Sequence, residues 1–247
     1  MNTRPLALVT GAGKRLGLAI TETLIAAGWD VLALVRTRTP ALEALLTTGG
    51  VREIITQDVA DPTLWSSLWP ALQSRYGCLP TAFVHAASLF ELDTPQSTDW
   101  AAIEAHRRVN ADAFIAAATA WAQHAQPDAR GSFVSLVDQK VHRLNPDHYA
   151  YTLSKLTLAA SIPFLAQALA PQLRVNGVSP GLTLPSGGQT LAEFEAAQAL
   201  FPLGSGLAPT DIARAVLFLL TQAWITGQML AVDGGQHLQS DHDIVLR

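Results

Sequence analysis

The chain has 247 residues, of which 49% are hydrophobic and only 15% are charged, and its formal net charge is -4. This composition excludes an intrinsically disordered protein, which combines low hydrophobicity with high net charge. It also argues against binding to nucleic acid or a membrane surface, because either function favours a basic patch. The single cysteine, Cys78, cannot form an internal disulfide bond. We therefore expect a cytoplasmic protein without a signal peptide.

Apolar runs of strand length alternate with segments of helical period along the chain. The predicted strands are Pro5–Thr10, Asp30–Val35, Val51–Gln57, Thr81–Ala86, Ser132–Val137, Arg174–Val178 and Gln228–Val232. The predicted helices lie near residues 15–28, 40–48, 61–75, 97–125, 149–171 and 210–222, with a short helix near Thr190–Leu200. The strands are continuous hydrophobic runs, which is typical of strands buried on both faces of a parallel sheet. The alternation predicts an α/β fold: one Rossmann-type, doubly wound parallel sheet of about seven strands in a single domain, 1–247.

Some side chains give finer predictions about these elements. The expected capping residues are Thr39, Asp61 and the pair Ser97-Thr98. Buried packing positions are predicted for His85, Trp121, Phe164 and Phe218. The irregular stretch Gly181–Gly206 follows the sixth strand, where open α/β sheets bind ligands, so residues 182–206 are predicted to form a substrate loop.

Two stretches of 18 residues, Leu156–Leu173 and Ala215–Val232, carry no formal charge. This length is at the lower edge of a membrane span, but both stretches contain glutamines and helix-breaking residues. We interpret them as surfaces buried between protein layers or at a subunit contact, and we expect no transmembrane segment.

A glycine-rich turn, Thr10-Gly11-Ala12-Gly13-Lys14-Arg15-Leu16-Gly17, follows the first strand and opens the first helix. Gly11 and Gly13 allow a tight turn and close approach of the backbone to a phosphate, and Gly17 allows the helix to pack near the strand. The spacing is G-x-G-x-x-x-G, which departs from the G-x-G-x-x-G fingerprint of dinucleotide-binding proteins. An ordinary strand-to-helix turn is therefore the alternative.

The second strand ends in Val35-Arg36-Thr37-Arg38, where NAD-binding proteins of this kind carry a carboxylate for the ribose 2′-hydroxyl. An arginine at this place suits a 2′-phosphate, so NADP is favoured over NAD. Lys14 and Arg15 would add positive potential near the same phosphate. The alternative is three solvated basic residues, but Lys and Arg number only 16 in the whole chain.

The spacing of Tyr151 and Lys155 places a phenol and an ammonium one helical turn apart on the same face. A nearby ammonium favours the phenolate, so this spacing predicts a lowered pKa of Tyr151 and a usable general acid or base. Alone, Tyr-x-x-x-Lys is also compatible with a pair on a helix surface.

Together, these residues resemble the short-chain dehydrogenase/reductase family over essentially the whole chain. The resemblance rests on the glycine-rich turn, Asp58-Val59, Asn110, Tyr151 with Lys155, Asn176 with Pro180-Gly181, and the closing Thr226-Gly227 and Val232-Asp233-Gly234-Gly235. It implies that Tyr151 donates the proton, that Lys155 assists it and holds the nicotinamide ribose, and that Asn110 keeps a proton-relay water. It further implies that Asp58 and Val59 flank the adenine, and that Val178–Thr183, including Pro180 and Gly181, lines the nicotinamide.

The departures from the usual family pattern are Arg15 in place of a glycine, Ala86-Ala87-Ser88 in place of Asn-Ala-Gly, and Asp138 near the place of the catalytic serine. Asp138 lies 13 positions before Tyr151, whereas Ser135 lies inside the fifth strand. These departures resemble the pteridine reductase and dihydromonapterin/dihydrofolate reductase branch of the family.

This second resemblance implies a pterin substrate, with Phe90 stacking on it and Ser88 and Arg15 bonding the pterin or a cofactor phosphate. A carboxyl group beside Tyr151 would relay a proton to a ring nitrogen. The alternatives are that Phe90 is a core aromatic and that Asp138 is an ordinary loop carboxylate.

We therefore expect an NADPH-dependent pterin reductase with catalytic Tyr151, Lys155, Asp138 and Asn110 and no metal. A carbonyl reductase of the same family is the alternative enzyme, and a dinucleotide-sensing regulator without turnover is a third hypothesis. The resemblance also implies a homotetramer or homodimer.

Overall fold

The computed structural model describes residues 4–186 and 188–239. Its strands form one parallel sheet with the order β3-β2-β1-β4-β5-β6-β7. The strands are β1 (Leu6–Thr10), β2 (Asp30–Val35), β3 (Val51–Thr56), β4 (Ala82–His85), β5 (Gly131–Leu136), β6 (Leu173–Pro180) and β7 (Met229–Val232). β1 pairs with β2 on one side and with β4 on the other, so the strand order reverses between β1 and β4. Ligands of open α/β sheets bind beyond the carboxyl ends of the strands at such a reversal.

Helices cover both faces of the sheet, which confirms the predicted fold class. The described α-helices are α1 (Arg15–Ala26), α2 (Pro40–Thr47), α3 (Leu64–Tyr76), α4 (Trp100–Arg107), α5 (Ala113–His124), α6 (Tyr149–Ala168), α7 (Leu191–Gln198) and α8 (Pro209–Thr221). A π-helical turn, Arg108–Asp112, joins α4 to α5, and short 3₁₀ helices span Gln139–Val141 and Gln236–Leu238. Among these helices, none combines the length and apolar character needed to cross a membrane.

Two hydrophobic cores flank the sheet and explain why its strands are hydrophobic on both sides. In β1, Leu8 packs in a core with Trp69 of α3, while its neighbour Val9 packs in the opposite core with Ile20 of α1 and Ile212 of α8. Burial of each such large side chain stabilises the fold by roughly 1.5–3 kcal/mol relative to exposure. Because successive strand residues point to opposite faces, the inner strands β1, β2, β4, β5 and β6 bury nearly every side chain, whereas β3 and β7, at the two ends of the sheet, are partly exposed.

Local hydrogen bonds set the first residues of α2 and α3. The Thr39 side chain accepts a hydrogen bond from the Leu42 amide, which confirms Thr39 as the cap of α2. Asp61 is not the cap of α3, because its carboxylate accepts hydrogen bonds from both the amide and the hydroxyl of Thr63 in a separate turn. The helix therefore begins later than predicted, at Leu64.

The helix predicted over 97–125 begins at Trp100, and the predicted cap at Ser97-Thr98 is wrong. Asp99 caps α4 instead, because its carboxylate accepts a hydrogen bond of 2.8 Å from the Ala102 amide. The run of helix also contains the π-helical turn, which the hydrophobic pattern did not indicate.

The structure confirms two of the predicted packing residues and contradicts two. His85 and Trp121 are buried. Phe164 and Phe218 are wrong as core residues, because their side chains are 77% and 46% exposed on the outer faces of α6 and α8. Both helices bury other apolar residues on the face that packs against the sheet. Hydrophobicity alone does not show that Phe164 and Phe218 lie on the opposite, exposed face.

Candidate active site

The turn after β1 requires glycine at two positions. Gly11 has a φ of +65°, and a Cβ atom there would lie 2.8 Å from the Ala87 amide nitrogen. A Cβ atom on Gly17 would lie 2.1 Å from the Gly11 carbonyl oxygen. Gly11 therefore lets the turn approach the loop after β4, and Gly17 lets α1 pack on the turn. Gly13 packs against Thr39, whose hydroxyl donates to the Gly13 carbonyl at 3.0 Å.

The beginning of α1 and the end of β2 present unpaired positive groups. Lys14, the N-cap of α1, makes no side-chain cap, so it leaves the first amides of this helix free to bind an anion. Arg38 is paired with Glu43 at 3.0 Å, but Arg36 has no ion pair within the described part of the chain. Lys14 and Arg36 are exposed. The N-terminus of α1, with Lys14 and Arg36, neither of which forms an ion pair with another described residue, fits the phosphate groups of a dinucleotide.

The remaining residues predicted for the adenosine half lie in the elements next to this turn. Thr37 is exposed just after β2, and Leu16 is partly buried in α1. After β3, the Asp58 carboxylate accepts a hydrogen bond from the Ala60 amide at 2.9 Å, and Val59 is buried. Their contact with a cofactor stays a prediction.

A chain of buried hydrogen bonds fixes the loop after β4. The Ala86 and Ala87 amides each donate to the Thr10 hydroxyl oxygen at 3.1 Å. The Thr10 hydroxyl lies 3.0 Å from His85 Nδ1, and His85 Nε2 lies 3.0 Å from the Val109 carbonyl. Since the carbonyl only accepts, Nε2 carries the ring proton and Nδ1 accepts from Thr10. These hydrogen bonds therefore connect the glycine-rich turn, the loop after β4 and the π-helical turn.

Asn110 lies in the π-helical turn and connects that loop to α6. Its Oδ1 accepts from the Leu89 amide at 2.8 Å, and its Nδ2 donates to the Leu89 carbonyl and to the Ser154 hydroxyl, both at 2.9 Å. Ser154 donates in turn to the Tyr151 carbonyl at 2.6 Å. Irregular helical turns are frequent at functional sites. Asn110 thus aligns the loop with the helix that carries Tyr151; its predicted role toward a water stays a prediction.

Tyr151 and Asp138 form a direct hydrogen bond at the centre of the site. The Tyr151 hydroxyl donates to Oδ2 of Asp138 at 2.6 Å, and Oδ1 of the same carboxylate accepts from the Lys140 amide at 2.8 Å. Asp138 is therefore not an unattached loop carboxylate. Ser135 is buried within β5 and is not the partner of Tyr151.

The ionisation of this pair differs from the predicted one. Burial raises the pKa of Tyr151 well above its ordinary value, and the charge and the hydrogen bond of Asp138 raise it further. The pKa of Tyr151 is therefore raised and not lowered toward neutrality as predicted, because burial and Asp138 outweigh the nearby ammonium of Lys155. Lys155 Nζ donates to the Leu136 carbonyl at 2.7 Å and lies 5.5 Å from the centre of the Tyr151 ring.

Two buried bases near the pair also have shifted pKa values. Burial lowers the pKa of Lys155 to about 8, although Asp138 opposes the shift. Burial, together with the positive charge of Lys155, lowers the pKa of His85 to about 3. At neutral pH the site therefore holds a neutral Tyr151, a neutral His85 and a mostly charged Lys155.

Phe90 forms an aromatic wall beside Tyr151. Its side chain is 41% exposed, so it is not a core aromatic. The Phe90 ring stacks on the His148 ring with centroids 4.0 Å apart and planes inclined by 13°, and it meets the Tyr151 ring nearly perpendicularly at 4.7 Å. Ser88 is exposed at the start of the same loop.

The predicted substrate loop, residues 182–206, contacts the glycine-rich turn. Arg15 has a φ of +52°, and its guanidinium donates to the Pro185 carbonyl at 2.9 Å. On the other side, Pro180 ends β6, and the Gly181 amide donates to the Val232 carbonyl of β7 at 3.1 Å. The structure therefore brings Arg15, Gly181 and the loop to one edge of the sheet, with the predicted short helix α7 inside the loop.

Four residues that the sequence does not single out, Asp93, Lys140, Asn145 and Asp147, hold the loops around the site. The Asp93 carboxylate accepts from the Ala150 amide at 3.1 and 3.2 Å, at the beginning of α6. Lys140 is buried and bonds to Asn145 and Asp147 inside the loop before α6. A lysine and a proline-flanked carboxylate in a loop give no sequence signal for such contacts. In the described residues, no three or more His, Cys, Asp or Glu side chains are grouped so that they could hold a metal ion.

Comparison with known proteins places this geometry in a family. The family model described as Enoyl-(Acyl carrier protein) reductase matches residues 11–237. A dihydromonapterin reductase of Escherichia coli O6:K15:H31 is 30% identical over 243 residues, which cover 96% of this chain and 99% of that one. The chain belongs to the short-chain dehydrogenase/reductase family.

Solved structures of short-chain dehydrogenases/reductases agree with this assignment. FolM alternative dihydrofolate reductase 1 from Brucella canis, complexed with NADP, superposes with a TM-score of 0.88 at 32% identity, and 98% of each chain is covered. Aldohexose dehydrogenase from Thermoplasma acidophilum superposes with a TM-score of 0.84 over 96% of each chain. At 22% identity, the second comparison shows the fold alone.

Proposed function

We propose that this chain is an NADPH-dependent reductase that transfers a hydride to a pterin-type substrate. The observation that carries the proposal is the 2.6 Å bond between Tyr151 and Asp138 beside the exposed ring of Phe90. The similarity to a dihydromonapterin reductase and to a FolM alternative dihydrofolate reductase complexed with NADP supports it. A flat heterocycle suits an aromatic wall, and its ring nitrogen requires a proton when the adjacent carbon accepts a hydride.

Two groups of this chain would control that proton. NADPH, when bound, supplies the hydride for the carbon of the C=N bond. Tyr151 stays protonated at neutral pH because its pKa is raised, so it is set to donate a proton rather than to remove one. Tyr151 is buried, whereas Asp138 is partly exposed, so the carboxylate can take up a proton from solvent and return it to Tyr151. The charged Lys155 would stabilise the phenolate that donation leaves.

The test is NADPH oxidation by the purified protein with dihydrofolate, dihydrobiopterin and dihydromonapterin, beside a ketone panel and an enoyl thioester. We expect turnover of at least one dihydropterin. The description of the matching family model favours the enoyl thioester as a second candidate. Reduction of the thioester or a ketone without reduction of any pterin would refute the pterin proposal, and cofactor binding without any oxidation would revive the regulator hypothesis.

We also propose that Arg36 selects NADPH. Its guanidinium is exposed and unpaired among the described residues, at the carboxyl end of β2. Substitution of Arg36 by Ala should weaken NADPH binding by about tenfold to a hundredfold, the scale of one charge-assisted phosphate contact. NADH binding should stay within about twofold, since it lacks the phosphate. Fluorescence titration with both cofactors measures this, and Arg38→Ala is the matched control because Arg38 is paired with Glu43.

We propose that the protein works as a homotetramer or homodimer in the cytoplasm. Among the exposed apolar residues are Phe164 on α6, Trp224 between α8 and β7, and Met229 at the start of β7, the last strand of the sheet. Exposed apolar patches of this kind often mark protein contacts. Sedimentation velocity should show a species larger than the monomer, and a monomer at micromolar concentration would contradict this proposal.

A further inference from the structure

Two non-glycine residues in the described part of the chain have positive φ angles, Arg15 and His148, and both border the candidate active site. His148 has φ 50° and ψ 50° at the residue before α6. A side chain with a Cβ atom rarely adopts this left-handed conformation, and strain of this kind clusters at functional sites. The surroundings must therefore hold His148 in place, and the strain calls for a functional reason.

The contacts of His148 show what holds it. Its carbonyl accepts the Thr152 amide at 2.8 Å, in the first turn of α6. Its Nδ1 lies 2.8 Å from the Glu91 carbonyl, so this nitrogen carries the proton and donates. The preceding residue, Asp147, is bonded to the buried Lys140. His148 is thus held by the first turn of α6 on one side, by the bonded Asp147 on the other, and by its ring nitrogen, which bonds to the loop after β4.

The ring of His148 supports Phe90. The two rings are nearly parallel at 4.0 Å, and Phe90 then meets Tyr151 nearly perpendicularly at 4.7 Å. The bond to Glu91, the residue after Phe90, holds the same loop by its backbone. With this left-handed backbone, His148 contacts the loop both through its ring and through Nδ1.

We propose that His148 is the positioning residue that determines how a planar substrate ring is accepted. It fixes the tilt of Phe90 and the distance of this aromatic wall from the Tyr151 hydroxyl. This inference rests on the proposed pterin reductase function. His148 acts through Phe90, and its contribution is therefore to substrate recognition and not to the proton chemistry itself.

The test compares His148→Asn, His148→Gly and His148→Phe in the full-length protein. Asn and Gly tolerate the left-handed backbone but remove the ring, so relief of strain should offset most of the lost contacts and both variants should keep a cooperative thermal melt close to that of the wild type. Their KM for the dihydropterin should rise about tenfold, the upper range for loss of an aromatic pair, while the KM for NADPH stays within about twofold. His148→Phe keeps a ring and should return the KM for the pterin to within about threefold of the wild type. His124→Asn, at the far end of α5, is the matched control and should change neither constant.

Different results separate this inference from the proposed function. An unchanged KM for the pterin in both ring-less variants would overturn the role of His148, as would equal increases of both KM values. Failure of a folded His148→Phe variant to restore the KM would also overturn it. A wild-type enzyme that reduces no pterin would refute the proposed function itself, and this inference with it.

Discussion

Replacement of Asp138 by Asn tests the chemistry of the Tyr151–Asp138 pair most directly. The substitution removes the charge that accepts the Tyr151 hydrogen bond at 2.6 Å, while the amide oxygen of Asn can still accept from the Lys140 amide. The 3₁₀ turn after β5 should therefore keep its cap, and the free energy of unfolding should change by less than about 1 kcal/mol. Any large loss of activity then reports on the carboxylate and not on the fold.

The expected magnitude follows from the hydrogen bond. A hydrogen bond to a charged group contributes about 1.5–3 kcal/mol, which corresponds to a fall in kcat of roughly tenfold to a hundredfold. Removal of the charge should also lower the pKa of Tyr151, because Asp138 is one cause of its increase. Steady-state NADPH oxidation with a dihydropterin, measured against pH, gives both quantities.

Asp138→Ser is the matched variant for this experiment. Serine supplies a hydroxyl but no carboxylate that can pass a proton to Tyr151, so kcat with the dihydropterin should fall as in Asp138→Asn. A variant of either kind that keeps kcat within twofold would refute the proton-relay role of Asp138. A loss of NADPH affinity as large as the fall in kcat would refute it too, because that result would indicate a disturbed cofactor site.

Three further predictions concern the surrounding residues. Lys155 loses its proton near pH 8, so kcat/KM for NADPH should fall above that pH, and Lys155→Arg should remove this limb of the pH profile. The pKa of His85 is about 3 in the folded protein and about 6.5 in the unfolded chain. Between these pH values only the unfolded chain binds the proton, so the free energy of unfolding falls as the pH is lowered from about 6.5 to about 3. Urea unfolding should show this acid slope, about 1.4 kcal/mol per pH unit at most, and His85→Asn should lack it. Gly17→Ala should lower the free energy of unfolding, measured with urea, by about 1–3 kcal/mol or more, because the new Cβ atom would clash with the Gly11 carbonyl oxygen. An unchanged value would show that α1 can move to relieve this clash.

The fold could be predicted because its strands carry a strong signal. Most inner strands are buried on both faces, so they appear in the sequence as apolar runs, as Leu6–Thr10 does. The helices were harder to delimit, since their ends depend on single side chains such as Asp99. The exposed rings of Phe164 and Phe218 show a second limit: hydrophobicity alone does not distinguish the core of one chain from a surface that another chain could cover.

The site could be predicted only in part. The spacing of Tyr151 and Lys155 correctly places both residues in one helix, since it depends only on helical geometry. The direction of the Tyr151 pKa could not be predicted, because it depends on burial and on whether the ammonium of Lys155 reaches the phenol or the Leu136 carbonyl. The sequence places His148 beside the site but assigns it no role, since its hydrogen bond to Glu91 spans 57 residues of sequence.

Arg15 and His148, the two residues with a left-handed backbone, hold the loops on either side of the candidate active site. Arg15 bonds to the Pro185 carbonyl of the substrate loop, and His148 bonds to the Glu91 carbonyl of the loop after β4. In each case a long polar side chain reaches a loop carbonyl from a left-handed backbone. A glycine at either position would relieve the strain but would release the loop, because it has no side chain to donate the hydrogen bond. Among the described residues, the non-glycine positions with a left-handed backbone are therefore the two that hold the loops around the candidate active site.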